Sequence, residues 1–239
     1  MNAKIRVGLN GLGRIGRHIF KMCIDDPLIE IVGINEINPD INNWAYTLNY
    51  DSIYGQSKNK VKIEKGNLIC NKKNIFTCIQ KDIRKVPWDE WGVQIIIDSS
   101  GVLENTYNSK DLINEQFKKK IIFTNSPDSV DFTMVLGVNE KEYNPEKHHL
   151  ISSSICDATA ISPVANIIDE LCKIKFGYVT TLHPWLSYQN LMDGSSSSWS
   201  VPGEVYHHYA LGRSAIGNMI PKPTSAMDAV FKVLPNLNR

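Results

Sequence analysis

The beginning of the chain alternates between short apolar runs and an amphipathic segment. Residues 5–9 and 29–34 are apolar runs that predict buried strands, and between them the apolar residues of 14–24 recur at the spacing of one helix face. Two later β-branched runs, 93–97 and 121–123, each lead into polar or small residues. Parallel strands of a doubly wound sheet show this pattern, because both of their faces are buried. The pattern therefore predicts an α/β fold that opens with a βαβ unit.

The rest of the sequence predicts a second, smaller domain. The serine run 152–154 follows an apolar pair and favours a boundary between residues 1–151 and residues 152–239. Within residues 1–151, the lysine- and asparagine-rich stretch 61–83 predicts a strand-like insertion, and the polar stretch 105–120 predicts a helix. Within residues 152–239, apolar spacing predicts helices at 163–173 and 224–234, and residues 176–182 predict a strand. We expect a doubly wound first domain followed by a partial α+β domain.

The composition excludes several classes of protein. Apolar residues make up 42% of the 239, and 26 Lys and Arg against 25 Asp and Glu leave a net charge of +1. Nucleic-acid binding relies on a one-sided positive field, so we expect no nucleic-acid partner. No apolar run approaches the roughly 20 residues of a membrane-spanning helix, and no secretory signal opens the chain. We expect a soluble, cytoplasmic protein with no membrane partner.

Cysteine and histidine spacing does not favour a metal. The five cysteines are odd in number and include no C-x-x-C pair, which argues against a disulfide framework and a zinc site. The adjacent pairs His148-His149 and His207-His208 do not favour a metal either, because neighbouring side chains do not share a face. We therefore expect no metal.

Residues 11–16 read Gly-Leu-Gly-Arg-Ile-Gly, between a predicted strand and a predicted helix. Gly11 permits a tight turn, Gly13 lets the backbone approach a pyrophosphate, and Gly16 allows close packing of helix on sheet. Glu36, at the end of the next strand, can accept bonds from both ribose hydroxyls and would repel a 2′-phosphate. The motif thus predicts a Rossmann site for NAD rather than NADP, the alternative being a glycine turn in another α/β fold.

Cys156 and His183 are the candidates for covalent chemistry. Cys156 precedes the predicted helix 163–173, so it should lie at or near a helix N-terminus, where the dipole favours a thiolate. His183 follows the predicted strand 176–182 and could be exposed at the sheet edge. A nucleophile and its base are one interpretation, and two ordinary core or surface residues are the other.

Blocks of sequence along almost the whole chain resemble glyceraldehyde-3-phosphate dehydrogenases. The matching blocks are residues 7–17, 49–55, 98–102, 136–139, 180–183, 212–221 and 232–235, together with Cys156. The blocks are collinear, and several are typical of that family rather than of Rossmann proteins in general.

The resemblance implies that Cys156 attacks an aldehyde as a thiolate and that His183 takes up the proton and stabilises the oxyanion. A hydride then passes to NAD, and phosphate or water releases the resulting thioester. The resemblance also implies a homo-oligomer, either a tetramer or a dimer. The dinucleotide contacts it implies, beside the motif glycines, are made by Asn10, Arg14, Ile15, Glu36, Lys81, Ser100, Gly101 and Thr124.

Two blocks depart from the family's pattern. Where the family has Ser-Cys-Thr, this chain has Ile155, Cys156 and Asp157, so two hydroxyl groups are lost. Asp157 places a negative charge beside the thiol and beside an incoming phosphate, which opposes thiolate formation and repels dianions. Thr224 is kept in a second phosphate-binding block, but Ser225 replaces a glycine. We expect Asp157, Thr224 and Ser225 to face the substrate, which is glyceraldehyde 3-phosphate or a related sugar-derived or phosphorylated aldehyde.

The family's chain continues past the position of Arg239 and there carries most strands of its catalytic sheet. The sequence is therefore a fragment, or is completed by a second polypeptide, or has a smaller fold in its second half. Two functions follow from these choices. One is an NAD-dependent aldehyde dehydrogenase, and the other is a dinucleotide-binding or assembly protein that has lost catalysis.

Overall fold

The computed structural model describes residues 3–113, 119–186, 189–196 and 209–238, and its strands form a nine-stranded sheet and a separate two-stranded hairpin. The strands are β1 Ile5–Asn10, β2 Ile29–Asn35, β3 Tyr50–Asp51, β4 Gly55–Gln56, β5 Val61–Glu64, β6 Asn67–Cys70, β7 Lys73–Cys78, β8 Ile95–Asp98, β9 Lys120–Phe123, β10 Phe132–Thr133 and β11 Leu150–Ser152. The α-helices are α1 Arg14–Cys23, α2 Ile41–Asn49, α3 Leu103–Asn108, α4 Cys156–Cys172 and α5 Ala226–Val233. None of the helices in these ranges is long and apolar enough to span a bilayer.

The large sheet has the order β10-β11-β9-β8-β1-β2-β7-β6-β5. Its pairs are parallel from β10 to β7, and β6 and β5 continue it as an antiparallel extension. From β1 the chain moves to β2 and β7 on one side and later to β8 and β9 on the other. The direction of winding therefore reverses between β1 and β8. In doubly wound folds, ligands bind outside the carboxyl ends of the strands at such a point.

The predicted βαβ unit is confirmed by β1, α1 and β2, and the predicted insertion by the meander β5–β6–β7. The strand predicted at 93–97 is observed at Ile95–Asp98. The helix predicted at 105–120 is wrong in extent, because α3 ends at Asn108 and a 3-10 turn follows at Ser109–Leu112. Residues 114–118 lie outside the described ranges.

The second half departs further from the predicted elements. Helix α4 begins at Cys156 rather than at Pro163. Pro163 lies inside the helix, where it removes one N–H donor and crowds the carbonyl four residues earlier, but it does not mark the start of the helix. The strand predicted at 176–182 is wrong, since the structure pairs no strand with these residues in the described ranges. Without a partner strand, Phe176 and Tyr178 are 85% and 97% exposed.

The chain divides into two compact units, one of residues 1–134 and 140–154 and one of residues 135–139 and 155–239. The first unit buries both faces of its sheet, with Ile31 and Val32 of β2 in different core clusters. In the second unit Ala158 of α4 packs against Ala229 and Val230 of α5. Compactness alone does not show that either unit folds independently, so the domain boundary after Ile151 stays a prediction.

Buried polar side chains lie where three neighbouring strands end. Asn10 pairs in register with Asn35 of β2 and with Asp98 of β8, and all three are 2–3% exposed. The Asn35 amide donates to Asn10 Oδ1 at 2.7 Å and to the Gln80 carbonyl at 2.8 Å, and the Gln80 N–H donates back to Asn35 Oδ1 at 2.8 Å. These bonds satisfy amide groups that would otherwise be costly to bury.

Asp98 completes this edge. Its Oδ1 accepts from the Ser100 N–H at 2.8 Å and from the Ser100 hydroxyl at 2.6 Å. Burial nevertheless raises the pKa of Asp98 above its ordinary value, although the bonds from Ser100 and Asn10 oppose the rise. The folded state thus favours the protonated carboxyl more strongly than the unfolded state does.

Asp98→Asn should remove a pH dependence of stability. As the pH rises from about 4, unfolded Asp98 ionises before folded Asp98, so the contribution of Asp98 to the free energy of unfolding of the wild type falls. An amide oxygen can still accept both bonds from Ser100 but cannot ionise. We expect the stability of the variant relative to wild type to increase between pH 4 and 7, measured by urea unfolding. A difference that is constant over this range would contradict the assignment.

Candidate functional site

The glycine turn between β1 and α1 is shaped by three glycines with different surroundings. Gly11 has φ +93°, and a Cβ there would lie 2.7 Å from the Ser100 nitrogen. A Cβ on Gly16 would lie 2.1 Å from the Gly11 carbonyl oxygen. Gly13, in contrast, has no atom within 4 Å of where its Cβ would be. The turn is therefore closed on the sheet side and open at Gly13.

The open side of the turn faces the start of α1. Gly13 is the N-cap, and Arg14 and Ile15, both exposed, belong to the first turn. The N–H groups of a helix's first turn have no partner within the helix, and the dipole there favours an anion. The space beside Gly13 therefore fits a pyrophosphate.

Glu36 is held beside the same turn. Its Oε2 accepts from the Leu12 N–H at 2.5 Å, and its Oε1 accepts from the Asn38 N–H at 3.1 Å. The carboxylate keeps further acceptor positions, because two oxygens offer about four lone pairs. Glu36 can thus bind the backbone and still accept from a ribose hydroxyl.

A cavity of about 180 Å³ lies next to Glu36. Its walls are formed by Leu12, Gly13, Arg17, Glu36, Asn38, Asn43, Trp44 and Thr47. Sequence reasoning found Gly13 and Glu36 but missed the residues from α2. The available signal was Asp40, whose side chain caps α2 by accepting from the Asn42 N–H at 2.9 Å and so begins a helix directly after the carboxylate.

The other predicted dinucleotide contacts follow the carboxyl ends of neighbouring parallel strands. Asn10 ends β1, and its side chain is part of the buried polar edge described above. Ser100 and the exposed Gly101, whose φ is +72°, follow β8. Thr124 follows β9 and donates its N–H to the Asp98 carbonyl at 3.0 Å, and Lys81 lies exposed after β7. The structure therefore brings these residues to one edge of the sheet, and at this edge sequence reasoning missed the supporting side chains of Asn35 and Asp98.

The thiol site belongs to the second unit. Cys156 is the first residue of α4, and its Sγ lies 3.6 Å from Nε2 of His183. Both side chains are exposed. Nδ1 of His183 lies 2.9 Å from the Pro184 carbonyl oxygen. Because a carbonyl only accepts, this contact assigns the hydrogen to Nδ1, and in the neutral ring Nε2 is then an acceptor that faces the thiol.

Asp157 lies in the first turn of α4 and is half-buried. One of its carboxylate oxygens lies within 4.8 Å of both Cys156 Sγ and the His183 ring nitrogen. Thr224 and Ser225 instead begin α5, where the Thr224 hydroxyl accepts from the Ala226 N–H at 3.1 Å and Ser225 is the N-cap. Their hydroxyl-bearing side chains are exposed, and their contact with a substrate stays a prediction.

His148, in the first of the two histidine pairs, packs within the first unit. His148 accepts the Asn144 N–H at 3.1 Å and stacks on Phe132 at 4.7 Å between ring centroids. His207 and His208 lie outside the described residues.

The reversal between β1 and β8, the open glycine turn and the carboxylate after β2 define a dinucleotide-binding protein of the Rossmann class. Residues 5–106 match the family description "Glyceraldehyde 3-phosphate dehydrogenase, NAD binding domain", and residues 155–239 match its C-terminal domain. The chain belongs to the glyceraldehyde-3-phosphate dehydrogenase family, which confirms the predicted fold class and makes NAD the dinucleotide of this site.

Three similar proteins agree with this assignment. Glyceraldehyde-3-phosphate dehydrogenase 1 of Bacillus subtilis (strain 168) is 33% identical, and the enzymes of that name from Cochliobolus heterostrophus and Geobacillus stearothermophilus are 36% and 33% identical. Each alignment covers 98% of this chain. The chain spans 66% of the length of each of these relatives.

Gly13→Ala should weaken NAD binding without unfolding the protein. The backbone at Gly13 has φ −64° and ψ −166°, which any residue can adopt, and the added methyl meets no protein atom. It would occupy the space that a pyrophosphate needs. We expect the Kd for NAD, measured by calorimetry, to rise at least about tenfold, or 1.4 kcal/mol, with little change in Tm.

Gly16→Ala is the matched control. Its Cβ would lie 2.1 Å from the Gly11 carbonyl oxygen and 2.6 Å from Ser99 Oγ, so the turn itself must shift. We expect the free energy of unfolding to fall by about 1–3 kcal/mol. Unchanged NAD affinity in Gly13→Ala would argue against a pyrophosphate at this turn.

Proposed function

We propose that this chain carries the active-site thiol and base of an NAD-dependent aldehyde dehydrogenase of the glyceraldehyde-3-phosphate dehydrogenase type. The observation that supports it most directly is the 3.6 Å approach of Cys156 Sγ to His183 Nε2, with Nδ1 bound to the Pro184 carbonyl. A nucleophile, a base within reach and a group that orients the base are the parts of an activated thiol. The relatives described above are named for the same activity.

In the first step, the Cys156 thiol transfers its proton to Nε2 of His183. The thiolate sulfur attacks the aldehyde carbon, so a C–S bond forms and the carbonyl π electrons move to oxygen. The protonated His183 donates a hydrogen bond or the proton to that oxygen, which gives a thiohemiacetal on Cys156. Because Nδ1 keeps its own hydrogen throughout, the ring can return to the same neutral tautomer.

Oxidation of the thiohemiacetal removes a proton and a hydride from the carbon–oxygen unit and leaves a thioester on Cys156. Nε2 of His183 is the acceptor within reach of the proton. The chemistry that NAD supplies when bound is acceptance of the hydride. The residues we assign to hold it are Asn10, Gly11, Gly13, Arg14, Ile15, Gly16, Glu36, Lys81, Ser100, Gly101 and Thr124.

Asp157 bears on the substrate and on the acyl acceptor. Its carboxylate lies within 4.8 Å of the thiol sulfur, where it would repel a phosphate dianion. We assign glyceraldehyde 3-phosphate or a related sugar-derived or phosphorylated aldehyde as substrate, bound with contacts from Thr224 and Ser225. The charge of Asp157 favours release of the thioester by water over release by inorganic phosphate.

The same carboxylate favours a second function. A negative charge beside the thiol opposes the thiolate on which the reaction depends. The alternative is a dinucleotide-binding or assembly protein of the same family that binds NAD without forming an acyl-enzyme. Under either function we assign a cytoplasmic location and a homo-oligomer, either a tetramer or a dimer.

Cys156→Ala should abolish NADH formation from an aldehyde and leave the Kd for NAD unchanged. His183→Asn should lower kcat by about 10²–10⁴-fold, the usual contribution of a positioned acid–base group. Cys172→Ala is the control, because Cys172 is also an exposed free thiol but lies at the other end of α4. NADH absorbance with a panel of aldehydes measures the activity of the three variants, and calorimetry measures the Kd for NAD. Activity retained in Cys156→Ala would refute the assignment of Cys156 as the nucleophile.

The two exposed thiols of α4 also separate the two functions. Cys156 lies at the positive end of the helix dipole and beside His183, whereas Cys172 lies at the negative end. If the site is an active one, iodoacetamide should modify Cys156 faster than Cys172 near neutral pH, and Asp157→Thr should increase the ratio of the rates. Peptide mass spectrometry measures both rates in one sample. Equal rates would favour the non-catalytic function.

A further inference from the structure

Three different donor groups meet at the start of α4. The sulfur of Cys156, one carboxylate oxygen of Asp157 and one ring nitrogen of His183 all lie within 4.8 Å of one another. Side chains of consecutive helical residues point about 100° apart. The donor atoms of Cys156 and Asp157 nevertheless lie close together, and His183, 27 residues further along the chain, completes the set.

The spacing fits a small tetrahedral cation. Zinc binds sulfur at about 2.3 Å and nitrogen or oxygen at about 2.0–2.2 Å, which puts ligand atoms of a tetrahedron about 3.5 Å apart. Sγ of Cys156 and Nε2 of His183 are already 3.6 Å apart. The Asp157 oxygen lies within 4.8 Å of both of these atoms, so all three donor atoms are near the spacing of a tetrahedral site.

The histidine is oriented as a metal ligand requires. Its Nδ1–H donates to the Pro184 carbonyl at 2.9 Å, which leaves the Nε2 lone pair for the shared space. A backbone carbonyl on the second ring nitrogen is the usual arrangement around histidine ligands, where it fixes the tautomer and raises basicity. Cys156 and His183 are exposed, so water can reach a fourth position.

The charges at the site also balance. The positive end of the α4 dipole, equivalent to about half an elementary charge, opposes a bare cation. A Cys156 thiolate and the Asp157 carboxylate together supply two negative charges. Sulfur, nitrogen and oxygen in one set select a borderline-soft ion such as Zn²⁺ over Mg²⁺ or Ca²⁺, which prefer oxygen alone.

We propose that Cys156, Asp157 and His183 form a reversible Zn²⁺ site that blocks the thiol. On binding, the Cys156 S–H bond breaks and its proton goes to solvent. Zn–S, Zn–N and Zn–O bonds form while five of the six waters of the hydrated ion leave and one stays at the fourth position. Nothing is oxidised or reduced. The blocking of catalysis rests on the proposed function, but the binding of zinc does not.

The test follows alkylation of the full chain by iodoacetamide, with and without Zn²⁺. Zinc should slow modification of Cys156 at least tenfold, leave Cys172 at its original rate, and be reversed fully by EDTA. Co²⁺ in place of Zn²⁺ should produce a thiolate-to-cobalt charge-transfer band, which Cys156→Ala should abolish and Cys172→Ala should keep. These readouts require neither NAD nor an aldehyde.

Asp157→Asn separates a three-ligand site from zinc bound by the thiol alone. The amide has the size of the carboxylate but lacks its charge, and loss even of outer contacts of a metal site commonly costs about 10–100-fold in affinity. We expect the zinc concentration that half-protects Cys156 to rise by at least about tenfold in this variant and in His183→Asn. Unchanged protection in either variant, or no protection of the wild type, would overturn the proposal.

The outcome is independent of that for the proposed function. A chain that oxidises no aldehyde but whose Cys156 is protected by zinc through Asp157 refutes the dehydrogenase and supports the metal site. A chain that forms NADH in the absence of metal but gains no zinc protection does the reverse.

Discussion

The first unit depends on a row of buried polar groups at the carboxyl ends of its central strands. A buried group that lacks a hydrogen bond costs about 1–3 kcal/mol, so the amides of Asn10 and Asn35 and the carboxyl of Asp98 must be matched to partners. Their bonds hold β2, β1 and β8 in one register. Because β1 runs directly into the glycine turn, the same register determines where α1 begins and where its N–H groups lie. The position of the dinucleotide site therefore depends on the hydrogen bonds of the buried polar side chains at the strand ends.

The second unit uses a single helix for its chemistry. Helix α4 starts at Cys156 and is anchored within its first turn, two residues later, by the fully buried Ala158 against Ala229 and Val230. A small residue at this contact lets the two helices approach closely, which fixes the first turn of α4 rather than leaving it to fray. His183 belongs to a segment without regular secondary structure. Cys156 is therefore positioned by helix α4, and the His183 ring is oriented by the bond of its Nδ1 to the Pro184 carbonyl.

Much of the first unit could be predicted from its sequence, because buried parallel strands and a glycine turn carry local signals. At the strand Leu150–Ser152 the sequence predicts only a domain boundary, since three residues are too few to show a periodicity. The partners Asn35 and Asp98 could not be found from spacing, because their bonds join strands that are distant in sequence. In the second unit, the proline at 163 suggests a helix start that is seven residues too late. The apolar run 176–182 predicts a strand, but the structure pairs no strand with it in the described residues. The convergence of Asp157 with His183 depends on tertiary structure and leaves no periodic trace in the sequence.

The bond from His183 to the carbonyl of the very next residue has a consequence for how such a site can persist. In many enzymes the group that orients the histidine is a carboxylate from a distant part of the chain, which must be retained together with the histidine. Here the orienting acceptor is a main-chain atom, present whatever side chain follows, and the proline ring narrows the torsion that aims it. The tautomer of His183 is thus determined by His183 and Pro184 alone. The tautomer can therefore be kept while residues elsewhere in the chain are substituted. A carboxylate at Asp157, where the family has a hydroxyl, leaves the tautomer of His183 unchanged but alters what Cys156 and His183 can bind.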